Sequence, residues 1–402
     1  MRISTAGVHS SALTAILRQQ SALAKTQAQL SSGKRILEAT DDPLGSARLQ
    51  RLDRTDSRLT QFTANGNAAT TRLNIEEQAL SDSYNVLQRV RELALQASNV
   101  TATASDRKDM ASELSALIDQ LKDVANRQDA SGEYIFAGYA TGTKPFATGS
   151  GGTTYVGDAG GRTLQIDDSN YVAVGDSGDA VFMDITQGNG TFTTAATSTN
   201  TGSGVIDTGS ITSKSAWVSD DYTITFSTDP TTSDTIWTVT DSGGNTVSTG
   251  NYTSGDAITF NGAQVSITGT PVAGDTFSIA PAGKEDVFTT LQNMLITLQS
   301  DDDTDSGRAL LGSKLNTALT QLDQAMTHIG SVRSTVGTRL NLIDTTHSSQ
   351  SNRSLDLQTE ISAIRDVDYT TAASALSQQY VGLQAAQQSY ASISKLSLFN
   401  YL

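Results

Sequence analysis

The chain has 402 residues, enough for two or three domains, yet only 37% are hydrophobic and 6% aromatic. That supply is thin for a compact enzyme and suits long helices with a narrow apolar stripe beside a soluble β-rich part. Cysteine is absent, which excludes disulfides, thiolate zinc sites and a cysteine nucleophile, and the net charge of −15 argues against a nucleic-acid partner.

The first twenty residues, MRISTAGVHSSALTAILRQQ, carry neither the apolar core nor the cleavage pattern of a secretory signal. No apolar run approaches the ~20 residues of a membrane span, so neither a cleaved signal nor membrane insertion is expected. Leu13, Ile16, Gln20, Leu23, Gln27 and Leu30 then alternate at spacings of three and four, the pattern of a coiled-coil seam with two polar insertions.

Residues 30–52, LSSGKRILEATDDPLGSARLQRL, read as a hinge. Gly33 relaxes the first helix, Asp42 is a plausible N-cap and Pro43 suits the first position of the next helix. Lys34 and Arg35 face Asp41 and Asp42 in a local ion pair worth ~0–1 kcal/mol, or else the segment binds something through these charges. The next seam runs Leu52, Thr55, Leu59, Phe62, Gly66, Ala69, Leu73, Glu76, Leu80, Ser83, Leu87, Val90 and Ala94. Continued to Ser98, that helix is ~84 Å long at ~1.5 Å per residue and needs partner helices along its length. A shorter helix follows the NVTATASD break, with Met110, Leu114, Leu117, Leu121 and Val124 on one face.

The five prolines are Pro43, Pro145, Pro230, Pro271 and Pro281, so two proline-free arms flank a punctuated middle. From 145 to 283 there are fourteen aspartates, no glutamate, and only Arg162 and Lys214. The middle is therefore acidic and solvated, while the nearly neutral ends can pack against copies of themselves. DYTITFST and TIWTVTDSGGNTVSTG alternate as strands around a hairpin turn, and AITFNGAQVSITG is a second hairpin with Asn-Gly at its turn. Both tryptophans, Trp217 and Trp237, lie here, as expected of a part with its own core.

The C-terminal arm mirrors the first. Val287, Leu291, Met294 and Leu298 mark one helix; after SDDDTDSG a stripe runs from Leu311 through Leu322, Ile329 and Ile343 to Gln350, Leu357 and Ile361. RDVDY breaks it, and a last helix carries Leu376, Tyr380, Leu383, Gln387 and Tyr390 before the end KLSLFNYL.

Catalytic chemistry is hard to find. His328 and His347 lie on one predicted helix, ~28 Å apart, and cannot share a metal. Asp301, Asp303 and Asp305 resemble the start of a calcium loop, but Ser306 and Gly312 stand where that loop needs Gly and Glu, so the stretch reads as a helix-capping loop. The glycines near 150 follow no strand and precede no helix, and so form no phosphate loop. No paired carboxylates or Ser-His-Asp set stand out, and no cofactor or metal is expected.

LSSGKRILEATDDPLGSARL resembles the N-terminal hallmark of bacterial flagellins and flagellin-like axial proteins, and SLDLQTEISAIRDVDYTTAASAL is similar to their C-terminal helix. Residues 132–146, GEYIFAGYATGTKPF, and the end SLFNYL are similar to the hook-associated protein 3 branch rather than to flagellin. The resemblance covers roughly 1–146 and 284–402. It implies a multidomain α+β fold: a long antiparallel α-helical coiled-coil bundle formed by both termini, with an inserted all-β outer domain. Expected boundaries are 1–42 with 366–402 as a terminal layer that is marginal before assembly, 43–144 with 284–365 as a helical rod, and 145–283 as the insertion.

The function implied is that of an extracellular structural subunit at the hook–filament junction, exported through the flagellar type III apparatus. Its partners would be copies of itself in a ring, hook-associated protein 1, flagellin and an export chaperone, with no nucleic acid and no membrane. Flagellin itself is the alternative, and a coiled-coil surface adhesin a third reading. The residues expected at the assembly interface are Leu13, Ile16, Leu23, Leu30, Lys34, Arg35, Asp41, Asp42, Leu376, Tyr380, Leu383, Tyr390, Leu398, Phe399, Tyr401 and Leu402.

Overall fold

A computed structural model describes residues 5–99, 101–149 and 152–395. The backbone divides into two compact units, Met1–Ala64 with Thr345–Leu402, and Asn65–Asp344. Two helices contribute to both units: α2 (Pro43–Ala97) and α5 (Asp305–Arg365).

In the first unit, α1 (Thr5–Ser32) packs antiparallel on α6 (Tyr369–Lys395). Gly33 ends α1 at φ +72°, a left-handed conformation that a side chain would strain. The expected cap of α2 forms: Gly45 N donates to Asp42 Oδ1 at 2.9 Å, just ahead of Pro43. Leu59 and Phe62 of α2 are buried, as are Gln350, Leu357 and Ile361 of α5. Gln350 is accommodated because the Thr63 hydroxyl donates to its Oε1 at 3.2 Å.

In the second unit, α3 (Ala104–Ala125) and α4 (Val287–Leu298) join α2 and α5. The break before α3 ends in a capping box: Thr103 and Asp106 each accept the other's backbone N–H. Asp286 caps α4 by accepting from Thr289 N at 2.8 Å. The apolar core gathers Leu73, Leu80, Leu87, Leu114, Leu291 and Leu322. Phe136 and Phe146, from the segment that leaves α3, meet Phe182 and Phe288 with ring centroids 5.2–5.5 Å apart. Fully burying such a ring stabilises by about 1.5–3 kcal/mol. In the acidic 301–305 stretch, Asp303 accepts from Arg107, and Asp302 accepts from Thr304 N.

The inserted strands begin with two small hairpins, β1 (Phe146–Gly149) with β2 (Gly152–Tyr155), and β3 (Thr163–Gln165) with β4 (Tyr171–Ala173). A π-helical turn, Asp179–Met183, precedes β5 (Ile185–Thr186). Next come β6 (Phe192–Ala196), β7 (Val205–Ile206), β8 (Ser210–Ile211), β9 (Tyr222–Thr228) and β10 (Thr235–Thr240). The last are β11 (Thr246–Asn251), β12 (Ala257–Phe260), β13 (Ala263–Thr268), β14 (Thr276–Pro281) and β15 (Lys284–Glu285).

One sheet has the order β11-β10-β9-β14-β6, a second β12-β13-β7 with β8 also on β13, and all their pairings are antiparallel. Alternation places Tyr222, Ile224 and Phe226 in a core with Ile258, Val265 and Ile267. Trp217 and Trp237 pack against this core, which is separate from the helical one. Asn261 and Gly262 both take positive φ, the two-residue turn foreseen between β12 and β13. Several of the fourteen aspartates hold turns. Asp229 accepts from Thr231 N and Thr232 N, and buried Asp275 from Thr201 N and Val272 N. The insertion closes on itself at its base, where β15 pairs with β5 and Gln187 N donates to Gly283 O at 3.0 Å.

Candidate assembly interface

The α1–α6 pair is where the sequence placed most of the interface. Two contacts fix its antiparallel register. Gln19 Nε2 donates to Gln379 O at 3.1 Å, and the His9 ring stands edge-on to Tyr390 with centroids 5.7 Å apart. Ile16, Leu23 and Leu30 of α1 are half-buried, as are Leu376, Leu383 and Tyr390 of α6. The polar steps of the seam differ from expectation. Gln19 and Thr26 occupy it rather than Gln20 and Gln27, and Gln379 rather than Gln387. On α1 the polar atoms are satisfied: Gln19 reaches a carbonyl of the partner helix, and buried Thr26 turns its hydroxyl onto Ala22 O at 3.1 Å, whereas on α6 the buried Gln379 Oε1 has no partner.

The same register turns two expected seam residues outward. Leu13 is 50% exposed and Tyr380 62%, and beside them Leu17 and Val381 are 56% and 60% exposed. Leu13 and Tyr380 each stand three residues before a seam residue, Ile16 and Leu383. In an antiparallel pair, helical geometry puts both on the same flank. The α1–α6 pair therefore covers only one stripe of each helix and leaves a second apolar row facing out.

Of the expected pairing of Lys34 and Arg35 with Asp41 and Asp42, the Arg35–Asp42 ion pair forms, and Asp41 and Lys34 find other partners. Asp41 pairs with Lys25 of α1 at 2.7 Å and also accepts from Leu37 N and Glu38 N. The Lys25 bond, reinforced by those backbone donors, holds its carboxyl down at about 2. Arg35 lies 3.6 Å from Asp42, but its hydrogen bonds go across the unit. Nε and Nη2 donate to Ile364 O at 3.1 and 2.7 Å. Its backbone N donates to Arg365 O, Val367 N donates to Gly33 O, and Lys34 bridges Asp366. The Asp366 carboxyl sits below its usual range, chiefly through Ser362 and Arg365, with the Lys34 charge contributing.

The two breaks, GKR after α1 and RDVDY after α5, thus form one short backbone ladder. Each was visible in the sequence as a helix stop; their pairing, more than 300 residues apart, was not. Leu398, Phe399, Tyr401 and Leu402 lie outside the described residues. Among the described residues there is no group of three or more His, Asp or Glu able to hold a metal, and no helix long and apolar enough to cross a membrane.

Residues 3–141 match the bacterial flagellin N-terminal helical region, and 319–402 the bacterial flagellin C-terminal helical region. A bundle built from both termini, carrying these two regions around a β insertion, defines a flagellin-like protein. Flagellar hook-associated protein 3 of Escherichia coli is 35% identical over 186 residues, 46% of this chain and 58% of that protein. The chain thus spans little more than half the length of the curated relatives it first matches. Flagellin B of Vibrio cholerae is 34% identical over 126 residues, only 31% of this chain and 33% of that protein. The crystal structure of the flagellar junction protein FlgL from Legionella pneumophila superposes with a TM-score of 0.74 at 35% identity. It covers 80% of this chain and 100% of that one. The chain belongs to the flagellar hook-associated protein 3 family, the FlgL junction proteins.

Proposed function

We propose that this chain is a structural subunit of the bacterial flagellum that forms the junction between hook and filament through its terminal helices. The observation that carries the reading is the likeness to a flagellar junction protein at 35% identity over its whole chain; in sequence, too, the match spans 58% of hook-associated protein 3 against 33% of flagellin B. The chain is not an enzyme; its relatives are flagellar structural proteins.

The outward row of Leu13, Leu17, Tyr380 and Val381 supports self-association, because an apolar row of this kind favours burial by a further helix. The partners are copies of itself in a ring, hook-associated protein 1 on one side and flagellin on the other. An export chaperone handles the chain before passage through the type III apparatus to the cell exterior. Lys34, Arg35, Asp41 and Asp42 set the joint between α1 and α2, and Leu398, Phe399, Tyr401 and Leu402 extend the interface.

Electron cryomicroscopy of intact flagella with this chain traced in place tests the reading. The expected result is a single ring at the hook–filament boundary and a trace amount in sheared filaments. Thousands of copies along the filament would make it flagellin instead.

A further inference from the structure

Glu76 stands in the middle of the α2 seam, 1% exposed. Its Oε1 accepts from Asp176 N at 2.9 Å, and its Oε2 is buried with no partner. The Asp176 carboxylate, on the 174–177 loop at the base of the insertion, is held by Arg339 of α5 through two bonds of 2.8 and 2.9 Å. One guanidinium therefore serves two adjacent carboxyls.

The other charges nearby are spoken for. On α2, Arg72 binds Asp129 and Glu133, and Glu77 accepts from Arg333 of α5. On the insertion, Asp179 adds a further negative charge just beyond Asp176. A second negative charge at Glu76 would be buried, against Asp176, with no cation of its own.

We propose that Glu76 carries a proton that fastens the 174–177 loop onto α2, and that loss of this proton releases the loop. Burial, and then the Asp176 charge, push the Glu76 carboxyl up to about 8, while Arg339 opposes them. The sign follows from linkage. The closed loop binds the proton more tightly than the open loop, where Glu76 returns to its ordinary value of about 4.5. Closure is fully favoured below that value, weakens as pH rises between the two, and levels off above about 8. In that window each pH unit raises the opening constant by up to about tenfold, a few hundredfold in all from about pH 5 to 8.

Hydrogen–deuterium exchange of the full chain between pH 5 and 9, corrected for intrinsic amide chemistry, reads this directly. Peptides over 174–184 report the latch and peptides over 257–268 serve as control. Wild type should lose protection at 174–184 with rising pH while the control stays constant, and Glu76→Gln should abolish the dependence. Asp176→Asn removes the repelling charge and frees Arg339 for Glu76, so the loss should level off at a lower pH and be smaller than in wild type. An equal pH slope in Glu76→Gln and wild type overturns the proposal, as does an unmoved profile in Asp176→Asn. If Glu76→Gln does not fold, the Asp176→Asn profile decides alone.

Discussion

Arg107 is 2% exposed and heads the fully buried side chains by volume. It ties the start of α3 to the 300–304 loop. Nη1 donates to Ala102 O at 3.3 Å, and Nη2 donates to Ser300 O at 3.2 Å and Asp303 Oδ1 at 2.9 Å. Arg107→Met keeps much of the stem and removes all three bonds. Breaking a buried pair from one side costs about 3–5 kcal/mol. Ser300 and Asp303 reach solvent, so their stranded oxygens can be rehydrated and the cost falls at the lower end, ~3 kcal/mol.

The assay uses urea, with ellipticity at 222 nm for the helices and tryptophan fluorescence for the β core, since Trp217 and Trp237 both pack there. For a slope of ~3 kcal/mol per molar, the helical midpoint should drop by about 1 M while the fluorescence midpoint holds. If both midpoints fall together, the two cores are one cooperative unit. If neither falls, Arg107 is no staple. Either result refutes the reasoning.

Gly262→Ala should lower the fluorescence midpoint first, because φ is +79° and a Cβ would stand 2.4 Å from Ser213 O. A cost of about 1–3 kcal/mol is expected, checked by the same urea titration. Asp41→Asn should make the hinge less sensitive to acid. In wild type the depressed carboxyl favours the folded hinge above the ordinary aspartate value, and this contribution disappears as pH falls toward 2. Limited pepsin cleavage at 33–42 as a function of pH measures the difference, and identical profiles would count against the Lys25–Asp41 contact. Leu13→Asp with Tyr380→Asp should leave monomer ellipticity unchanged and abolish junction assembly, scored by motility and filament retention. Normal filaments would refute an outward-facing interface.

Much of the helical architecture could be read from spacing alone. Every position of the α2 seam from Leu59 to Ala94 is buried, Glu76 and Ser83 included, because a long run of leucine at heptad spacing leaves one register. The α1 seam was harder. Ala12, Leu13, Ile16 and Leu17 offer apolar residues on adjoining stripes, so packing against α6 decided the register and sent Leu13 outward. The Asp42–Pro43 start of α2 was legible because a cap is local. The partners of Arg35, Arg107 and Glu76 were not, since each lies about 100 or more residues away and follows only from the closed fold. The aspartates of the insertion looked like simple solvation; many prove to shape its turns.

The two-residue ladder between β5 and β15 brings the chain's departure and return to within about 5 Å of each other. To the helical core, everything from 187 to 283 is then a loop already closed. Lengthening a closed loop costs little, about 0.6 kcal/mol per doubling. The grafted part still meets α5, where Thr317 Oγ1 donates to Thr194 O and Gln321 Oε1 accepts from Gly188 N. What is grafted there can be enlarged, trimmed or exchanged over evolutionary time while the terminal helices stay as they are.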